Sequence, residues 1–143
     1  MALWIETKLR YEKMAENGQI KKVTEPYLVD ALSFTEAEAR ITEEMTPYIS
    51  GGFTVSAVKK SNIGEIFRNE NGDRWYKVVA AFITIDEKTA CEKRANSYFM
   101  VQAVDFRNAL ENFLDGMKGT MADFEIVSIS ETKIMDVFNA KLG

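Results

Sequence analysis

Two ten-residue passages of this chain are similar, Leu28-Val-Asp-Ala-Leu-Ser-Phe-Thr-Glu-Ala37 and Met100-Val-Gln-Ala-Val-Asp-Phe-Arg-Asn-Ala109. Each copy joins an apolar, strand-like run to the start of an amphipathic helix. Ser33 and Asp105 occupy the same place in the two copies, and both are residue types that cap helix N-termini. An aromatic residue follows each cap. The passage therefore predicts a strand followed by a helix at two points in the chain.

The similarity extends well beyond these passages. An offset of 72 brings residues 3–45 onto residues 75–117, and an offset of 71 then brings residues 53–67 onto residues 124–138. Two unrelated amphipathic segments could share apolar positions by chance. However, the caps, the aromatics that follow them and the endings of the two segments all agree in one register. Internal duplication is the better explanation, and repeats of this kind define a fold.

Alternating and apolar runs on either side of the helices predict strands. Asn17-Gly18 predicts a hairpin turn because both residues tolerate positive φ. Pro26 lacks an N–H, so the strand that contains it is expected at an edge or beside a bulge. The end of the first copy, residues 63–67, is predicted as a helical turn or a short strand, and the end of the second, residues 134–138, as a turn. The predicted strands cover residues 3–14, 19–32, 53–60, 75–85, 92–104 and 124–129.

These elements predict an α+β protein built from two ββαβ units. We expect one domain over residues 1–143, made of repeat 1 (residues 3–68) and repeat 2 (residues 74–139). Because a half of about 70 residues would be marginal alone, the two copies are expected to share a core around a pseudo-twofold axis. Antiparallel sheets with two helices on one face would bury the apolar sides of all the elements.

Composition limits the compartment and the partners. The chain is 46% apolar and 28% charged, an ordinary globular mixture, and no apolar run approaches the roughly 18 residues of a membrane span. The N-terminus has no signal-peptide pattern, and the single cysteine, Cys91, cannot form an internal disulfide; both features favour the cytoplasm. The net charge of −4, with acidic and basic residues interleaved, disfavours a strongly electrostatic binder of duplex DNA.

The residue types that dominate catalysis are missing. The chain contains no histidine, which removes the commonest general base and the commonest zinc ligand. One cysteine without a histidine partner gives no nucleophile-base pair, and no cysteine cluster exists to hold a metal. We therefore predict no catalytic residue, no metal and no cofactor.

Basic residues provide the candidate binding site. Lys21-Lys22 in the first copy align with Lys93-Arg94 in the second, so each hairpin is expected to carry a basic pair at the same place. Such pairs beside exposed aromatics could hold a phosphorylated small molecule or single-stranded nucleic acid. The alternative is that lysines protect an edge strand against aggregation. The candidate ligand-binding residues are Lys21, Lys22, Lys93, Arg94, Arg10 and Trp4.

Several stretches resemble a domain-of-unknown-function family found in gut anaerobic bacteria and their phages. This resemblance implies a bacterial or phage origin and a small standalone protein, and it brings no activity, cofactor or catalytic residue. The similar stretches are Val23-Thr-Glu-Pro-Tyr-Leu-Val-Asp-Ala-Leu-Ser-Phe-Thr-Glu-Ala-Glu-Ala-Arg40, Asp73-Arg-Trp-Tyr-Lys77, Ala81-Phe-Ile-Thr-Ile-Asp-Glu-Lys88, Gly116-Met-Lys-Gly-Thr-Met-Ala-Asp-Phe-Glu125 and Glu131-Thr-Lys-Ile-Met-Asp-Val-Phe138.

Three functional hypotheses follow. The first is a non-enzymatic binding or assembly protein that self-associates into an oligomer, for which unpaired strand edges would be available. The second is a protein that binds single-stranded nucleic acid or sequesters a nucleotide through the paired basic residues. The third is an enzyme that uses only carboxylates and lysines, such as a metal-dependent hydrolase, and it requires acidic residues from separate elements to converge.

Overall fold

The computed structural model describes residues 3–139. Within this range the structure has two helices and eight strands. The strands form two four-stranded sheets in which most pairs are antiparallel. The predicted α+β class is confirmed. The elements are β1 Leu3–Met14, β2 Ile20–Ala31, α1 Phe34–Met45, β3 Phe53–Lys60, β4 Glu65–Phe67, β5 Arg74–Ile85, β6 Glu92–Ala103, α2 Phe106–Gly116, β7 Asp123–Glu131 and β8 Val137–Phe138.

The described residues fall into two compact units. Unit 1 comprises residues 3–61 and 133–139, and its sheet has the strand order β3-β1-β2-β8. Helix α1 covers one face of this sheet, because Ala37, Ile41 and Met45 recur at helical spacing and are all buried. They pack in one core cluster with Ile5 and Leu9, which alternation along β1 directs to the same side.

Unit 2 comprises residues 62–132, with the strand order β4-β6-β5-β7. Its core is aromatic where that of unit 1 is largely aliphatic. Phe113 of α2 is fully buried, and its ring centroid lies 5.1 Å from that of Phe99 on β6. Phe67 and Phe124 each lie 5.9 Å from the Phe113 ring.

The helix starts are built alike in the two units. Ser33 Oγ accepts a hydrogen bond from the Glu36 N–H at 3.1 Å, and Asp105 Oδ1 accepts one from the Asn108 N–H at 2.8 Å. Each third helical residue returns a bond, since the side chains of Glu36 and Asn108 accept the N–H of the residue before the cap. Both predicted N-caps are confirmed.

The outer strands β3 and β7 carry a bulge at the same place. Ser56 is an extra residue opposite Lys8 and Leu9 of β1, and Val127 is an extra residue opposite Val79 and Ala80 of β5. Bulges bend an edge strand and make its open side a poorer template for pairing. The open edges of β3 and β7 are therefore both blunted.

The strand registers correct the sequence alignment of the repeats. Leu3 pairs with Ala31, and Arg74 pairs with Ala103, so β1 superposes on β5 with an offset of 71, whereas β2 superposes on β6 with 72. The offset of 72 that sequence predicts for the first strand is therefore wrong by one residue. Because β5 is apolar on both faces, alternation could not fix its register. The additional residue lies in the second hairpin turn.

Both repeats end in a short strand, which was one of the two predicted alternatives for the first repeat but not for the second. Residues 137–138 form β8, so the predicted terminal turn is wrong there, and β4 at residues 65–67 is the short strand rather than the helical turn. β4 ends repeat 1 but runs parallel to β6 in unit 2, and β8 ends repeat 2 but runs parallel to β2 in unit 1. A run of two or three apolar residues gives no signal for its pairing partner.

Pro26 sits where its missing N–H does no harm. Its carbonyl accepts the Met135 N–H at 2.9 Å on the outer side of β2, and β8 pairs only with Leu28 and Val29 further along. Residues 26 and 28 direct their backbone groups to the same side of the strand. β2 lies between β1 and β8 and is therefore not an edge strand over its whole length, but its outer side is outside the β8 ladder at Pro26.

Candidate functional site

An open groove of about 700 Å³ lies beside the tip of the first hairpin. Its floor comes from the ends of β1 and β2, and its wall comes from the loop between α1 and β3. Gly51 and Gly52 form part of this wall, and a Cβ added to either would meet no atom within 4 Å. The groove is lined by Arg10, Tyr11, Glu12, Met14, Ile20, Lys22, Ser50, Gly51, Gly52, Phe53 and Thr54. We call it the basic groove, after Arg10 and Lys22.

The predicted Lys21-Lys22 pair divides between the two faces of the sheet. Successive residues of a strand point to opposite sides, and Lys22 lines the basic groove whereas Lys21 does not. Lys21 lies directly across from Lys13, and Lys22 lies directly across from Glu12. Lys22 therefore shares its face with Arg10, which is the diagonal neighbour on β1. The sequence prediction treated Lys21 and Lys22 as one pair, but they lie on opposite faces of β2.

The groove cations form no ion pair with a described residue. Within residues 3–139, no carboxylate lies in ion-pair distance of Lys21, Lys22 or Arg10. Both Arg10 and Lys22 are exposed. Glu12 is the one acidic side chain among the residues that line the groove. The local field thus favours an anion near Arg10 and Lys22.

The second hairpin neutralises the equivalent pair. Lys93 Nζ lies 3.7 Å from Asp86 Oδ2, and Arg94 Nη2 lies 2.6 Å from Glu125 Oε2. The hydrogen bond from Arg94 to Glu125, together with the charge of that carboxylate, raises the pKa of Arg94 above its ordinary value. The two predicted basic pairs are therefore electrostatically different.

The surroundings explain the difference between the two hairpins. Thr54 stands in unit 1 where Glu125 stands in unit 2, since Arg10 pairs with Thr54 and Ala81 pairs with Glu125. The same register places Ala81 where unit 1 has Arg10. Unit 2 thus carries a carboxylate and lacks the arginine. This contrast depends on residues far from the lysines in sequence, so the alignment of the pairs alone could not show it.

Trp4 lies apart from the other candidate residues. It sits near the start of β1 and pairs with Asp30, whereas Lys21 and Lys22 pair at the other end of the same hairpin. Nine residues of strand separate Trp4 from Lys13, the partner of Lys21, which corresponds to about 30 Å. Trp4 is half-buried, where the sequence predicted an exposed aromatic. The structure brings together Arg10 and Lys22 and leaves Trp4 at the other end of β1, whereas Lys93 and Arg94 belong to unit 2.

Sequence reasoning missed an exposed apolar pair in the groove. Met14 and Ile20 form the last rung of the β1–β2 ladder, and they are 70% and 64% exposed. Because the two residues are opposite each other, they form a small exposed apolar patch beside Arg10 and Lys22. A two-residue Asn17-Gly18 turn would have placed Met14 opposite Lys21. The loop has three residues between Ala15 and Gln19, whose backbones are bonded at 2.7 Å, and this loop sets the Met14–Ile20 rung.

A polar network lies on the helix side of the same hairpin. Tyr11 Oη donates to Glu25 Oε1 at 2.6 Å, and Tyr27 Oη donates to the same oxygen at 3.3 Å. Burial, followed by the hydrogen bond to Glu25, raises the pKa of Tyr11 to about 12. Burial and the charge of Glu25 also raise the pKa of Tyr27 above its ordinary value. The corresponding positions in unit 2 are Phe82, Ser97 and Phe99.

We expect this network to make unit 1 sensitive to alkali. Tyr11 and Tyr27 are neutral in both states below pH 10.0, so their contribution to the free energy of unfolding is complete there. Above pH 10.0 the unfolded chain loses the phenolic protons first, and stability falls as pH approaches 12. Thermal unfolding followed from about pH 8 upward should show this fall, and Tyr11→Phe should reduce it.

Tyr48→Phe is the matched control for the alkaline prediction, because Tyr48 is 78% exposed. That substitution should leave the pH dependence unchanged. A stability that stays level above pH 10.0, or that falls equally in Tyr11→Phe, would contradict the assignment of the network.

Among residues 3–139, no group of three or more histidine, cysteine, aspartate or glutamate side chains is placed to hold a metal ion. Within the same range, no helix is long and apolar enough to cross a membrane. Cys91 is a free thiol on the surface.

Comparison with known proteins identifies the family. Residues 3–140 match the family described as Domain of unknown function (DUF4494), and the chain belongs to that family. The match covers both ββαβ units. No curated protein and no solved structure matches the chain.

Proposed function

We propose that this protein binds a phosphate-bearing ligand, a nucleotide or single-stranded nucleic acid, in the basic groove of unit 1. The observation that carries the proposal is the contrast between the two hairpins. Arg10 and Lys22 have no acidic partner within residues 3–139, whereas Arg94 is held by Glu125. A cation that already pairs with a carboxylate offers little to a phosphate, and a free guanidinium can hold phosphate oxygens in a bidentate manner.

Protection of a sheet edge against aggregation would explain Lys22 but not Arg10. Lys22 lies on a stretch of β2 that β8 does not cover, so it suits the protective role. Arg10 lies on β1, which pairs with β2 on one side and with β3 on the other. A cation on an interior strand protects no edge. Ligand binding explains its exposed position on the groove floor.

The test compares two double variants. Arg10→Ala with Lys22→Ala should weaken the binding of a fluorescent single-stranded oligonucleotide, measured by anisotropy between about 50 and 200 mM salt. Because each phosphate contact contributes about 0.7 to the slope of log K against log salt, the slope should drop by about 1.4. Lys93→Ala with Arg94→Ala is the matched control, and it should leave both affinity and slope nearly unchanged.

Glu12 supplies an opposite test in the same assay. It lies across from Lys22 and is the carboxylate of the groove lining, so Glu12→Gln should strengthen the binding of an anionic ligand. Binding that is absent from every oligonucleotide and nucleotide tested would refute the proposal. Equal losses in the two double variants would also refute it, because they would place the ligand outside the basic groove.

A second candidate function is self-association, as an assembly protein. Exposed apolar residues flank both helix caps: Leu32 and Phe34 are 69% and 55% exposed, and Val104 and Phe106 are 43% and 56% exposed. The same pair of positions is apolar and exposed in both units, which favours a contact surface. Sedimentation of the wild-type chain and of a Leu32→Ser, Phe34→Ser variant tests this candidate. A strictly monomeric wild-type protein would exclude it.

The proposed setting is the cytoplasm of a gut anaerobic bacterium or of a cell infected by its phage. The exposed free thiol of Cys91 supports a reducing compartment. The sequence resemblance described above supports the source. Cell fractionation with an antibody against the chain tests the compartment, and recovery outside the cytoplasm would contradict it.

A further inference from the structure

From the layout of the basic groove we infer that its ligand is an extended single strand of nucleic acid, laid along the face of β1 with its bases against Met14 and Ile20. This inference rests on the proposed function and specifies its ligand. A site for a single phosphate would need only one phosphate group, whereas the site inferred here needs a chain of several nucleotides.

The cations are arranged in a line. Lys8 and Arg10 lie two residues apart on the same face of β1, so their Cα atoms are separated by about 7 Å. Lys22 continues this line from β2, at a diagonal distance of about 7–8 Å from Arg10. Within residues 3–139, no carboxylate lies in ion-pair distance of Lys8. A line of separate cations suits successive phosphates of one strand.

The groove does not suit a small anion. A site for a small ligand is concave, encloses most of the ligand and directs a few polar groups at one point. The basic groove is open along the hairpin, and no buried charged side chain lines it. Arg10 and Lys22 are both exposed and are separated along the strand direction. These cations can contact successive phosphates of a nucleic-acid backbone, but they do not surround a single phosphate.

The exposed pair at the hairpin tip provides a surface for bases. Met14 and Ile20 line the groove together with Arg10 and Lys22, so the apolar and basic side chains share one face. Every base has an apolar face, and contacts with that face tolerate any sequence. A methionine adapts its shape to different partners. The equivalent residues of unit 2 are Ile85 and Glu92, so the second hairpin lacks the apolar pair, and it has Ala81 in the place of Arg10.

Charge and width favour one strand over a duplex. The whole chain has a net charge of −4, and the basic line is confined to one hairpin, where Glu12 lies between Arg10 and Met14 on the same face. A duplex presents two charged backbones and is bound by broad basic surfaces. From Lys8 to Met14 the line spans six residues of strand, or about 20 Å. That length accommodates about four nucleotides, the lower end of single-strand site sizes.

The experiment is a length series measured by calorimetry on the full chain. The probes are thymidine monophosphate and oligothymidylates of about two, four and eight nucleotides. The last probe is the duplex that the longest oligothymidylate forms with its complementary strand. The affinity should rise up to about four nucleotides, and the duplex should bind more weakly than the single strand. The double variant Met14→Ser, Ile20→Ser should lower the affinity for the longest oligothymidylate by about fivefold or more. Ile85→Ser is the matched control, since Ile85 is 71% exposed, and it should have no effect.

The outcomes separate this inference from the proposed function. If thymidine monophosphate binds as tightly as the longest oligothymidylate, the ligand is a point anion; the inference then fails and the proposed function stands. If the duplex binds as tightly as the single strand, the inference also fails. If none of the probes binds, both fail. Because Met14 and Ile20 are exposed, a thermal unfolding curve can verify that the double variant is folded.

Discussion

Replacing Phe113 with alanine should lower the free energy of unfolding by about 3–5 kcal/mol. The Phe113 side chain is fully buried on α2 and contacts the rings of Phe67, Phe99 and Phe124. Removal of the ring leaves a cavity that these three aromatics line from separate strands, so the site cannot collapse without moving the sheet. The effect should therefore lie in the upper part of the range for large-to-small substitutions.

Urea denaturation monitored by circular dichroism measures this loss as a shift of the midpoint at constant slope. Phe106→Ala is the matched control, because Phe106 begins the same helix and is 56% exposed. That variant should change stability by less than about 0.5 kcal/mol. A Phe113→Ala protein as stable as the wild type would contradict the aromatic core of unit 2.

Gly72→Ala is expected to be similarly damaging, with a loss of about 3 kcal/mol. A Cβ on Gly72 would lie 2.5 Å from the backbone N of Ala103 and 2.6 Å from its Cα. Ala103 ends β6 and is itself fully buried, so neither backbone can give way easily. Gly72 is buried in the loop before β5, and its conformation does not demand glycine; the lack of space does.

Gly52→Ala provides the comparison for Gly72→Ala. An added Cβ at Gly52 meets nothing within 4 Å, and its φ is not in the left-handed region. Removing glycine there should leave stability unchanged or raise it by about 0.4–1 kcal/mol. Equal stability of the two alanine variants in thermal unfolding would show that the close approach of Gly72 and Ala103 is wrong.

Local chemistry explains why much of the fold could be predicted. Ser33 and Asp105 act as caps, and Asn17-Gly18 closes the first hairpin, because these signals lie within a few residues of the structure that they determine. The pairing of β4 and β8 could not be predicted in the same way. Each is a short apolar run whose partner strand lies far away in sequence, and only the tertiary fold selects that partner.

The candidate site was predictable in its residue types but not in its geometry. Arg10 and Lys22 belong to the predicted set, and the strand register places them together. Lys21 was grouped with Lys22 although alternation separates them, an error that the strand period alone could have prevented. The ion pair of Arg94 could not be foreseen, because Glu125 lies on β7 and reaches it only through the sheet.

The most direct test of the account is a map of where an oligothymidylate binds. Backbone amide signals of the full chain, followed by nuclear magnetic resonance during a titration, report each hairpin separately. We predict shifts at Arg10, Met14, Lys22 and the Gly51-Gly52 loop, with no change around Lys93 and Arg94. Shifts at the second hairpin, or shifts of equal size at both hairpins, would contradict the claim that only the basic groove of unit 1 binds the ligand.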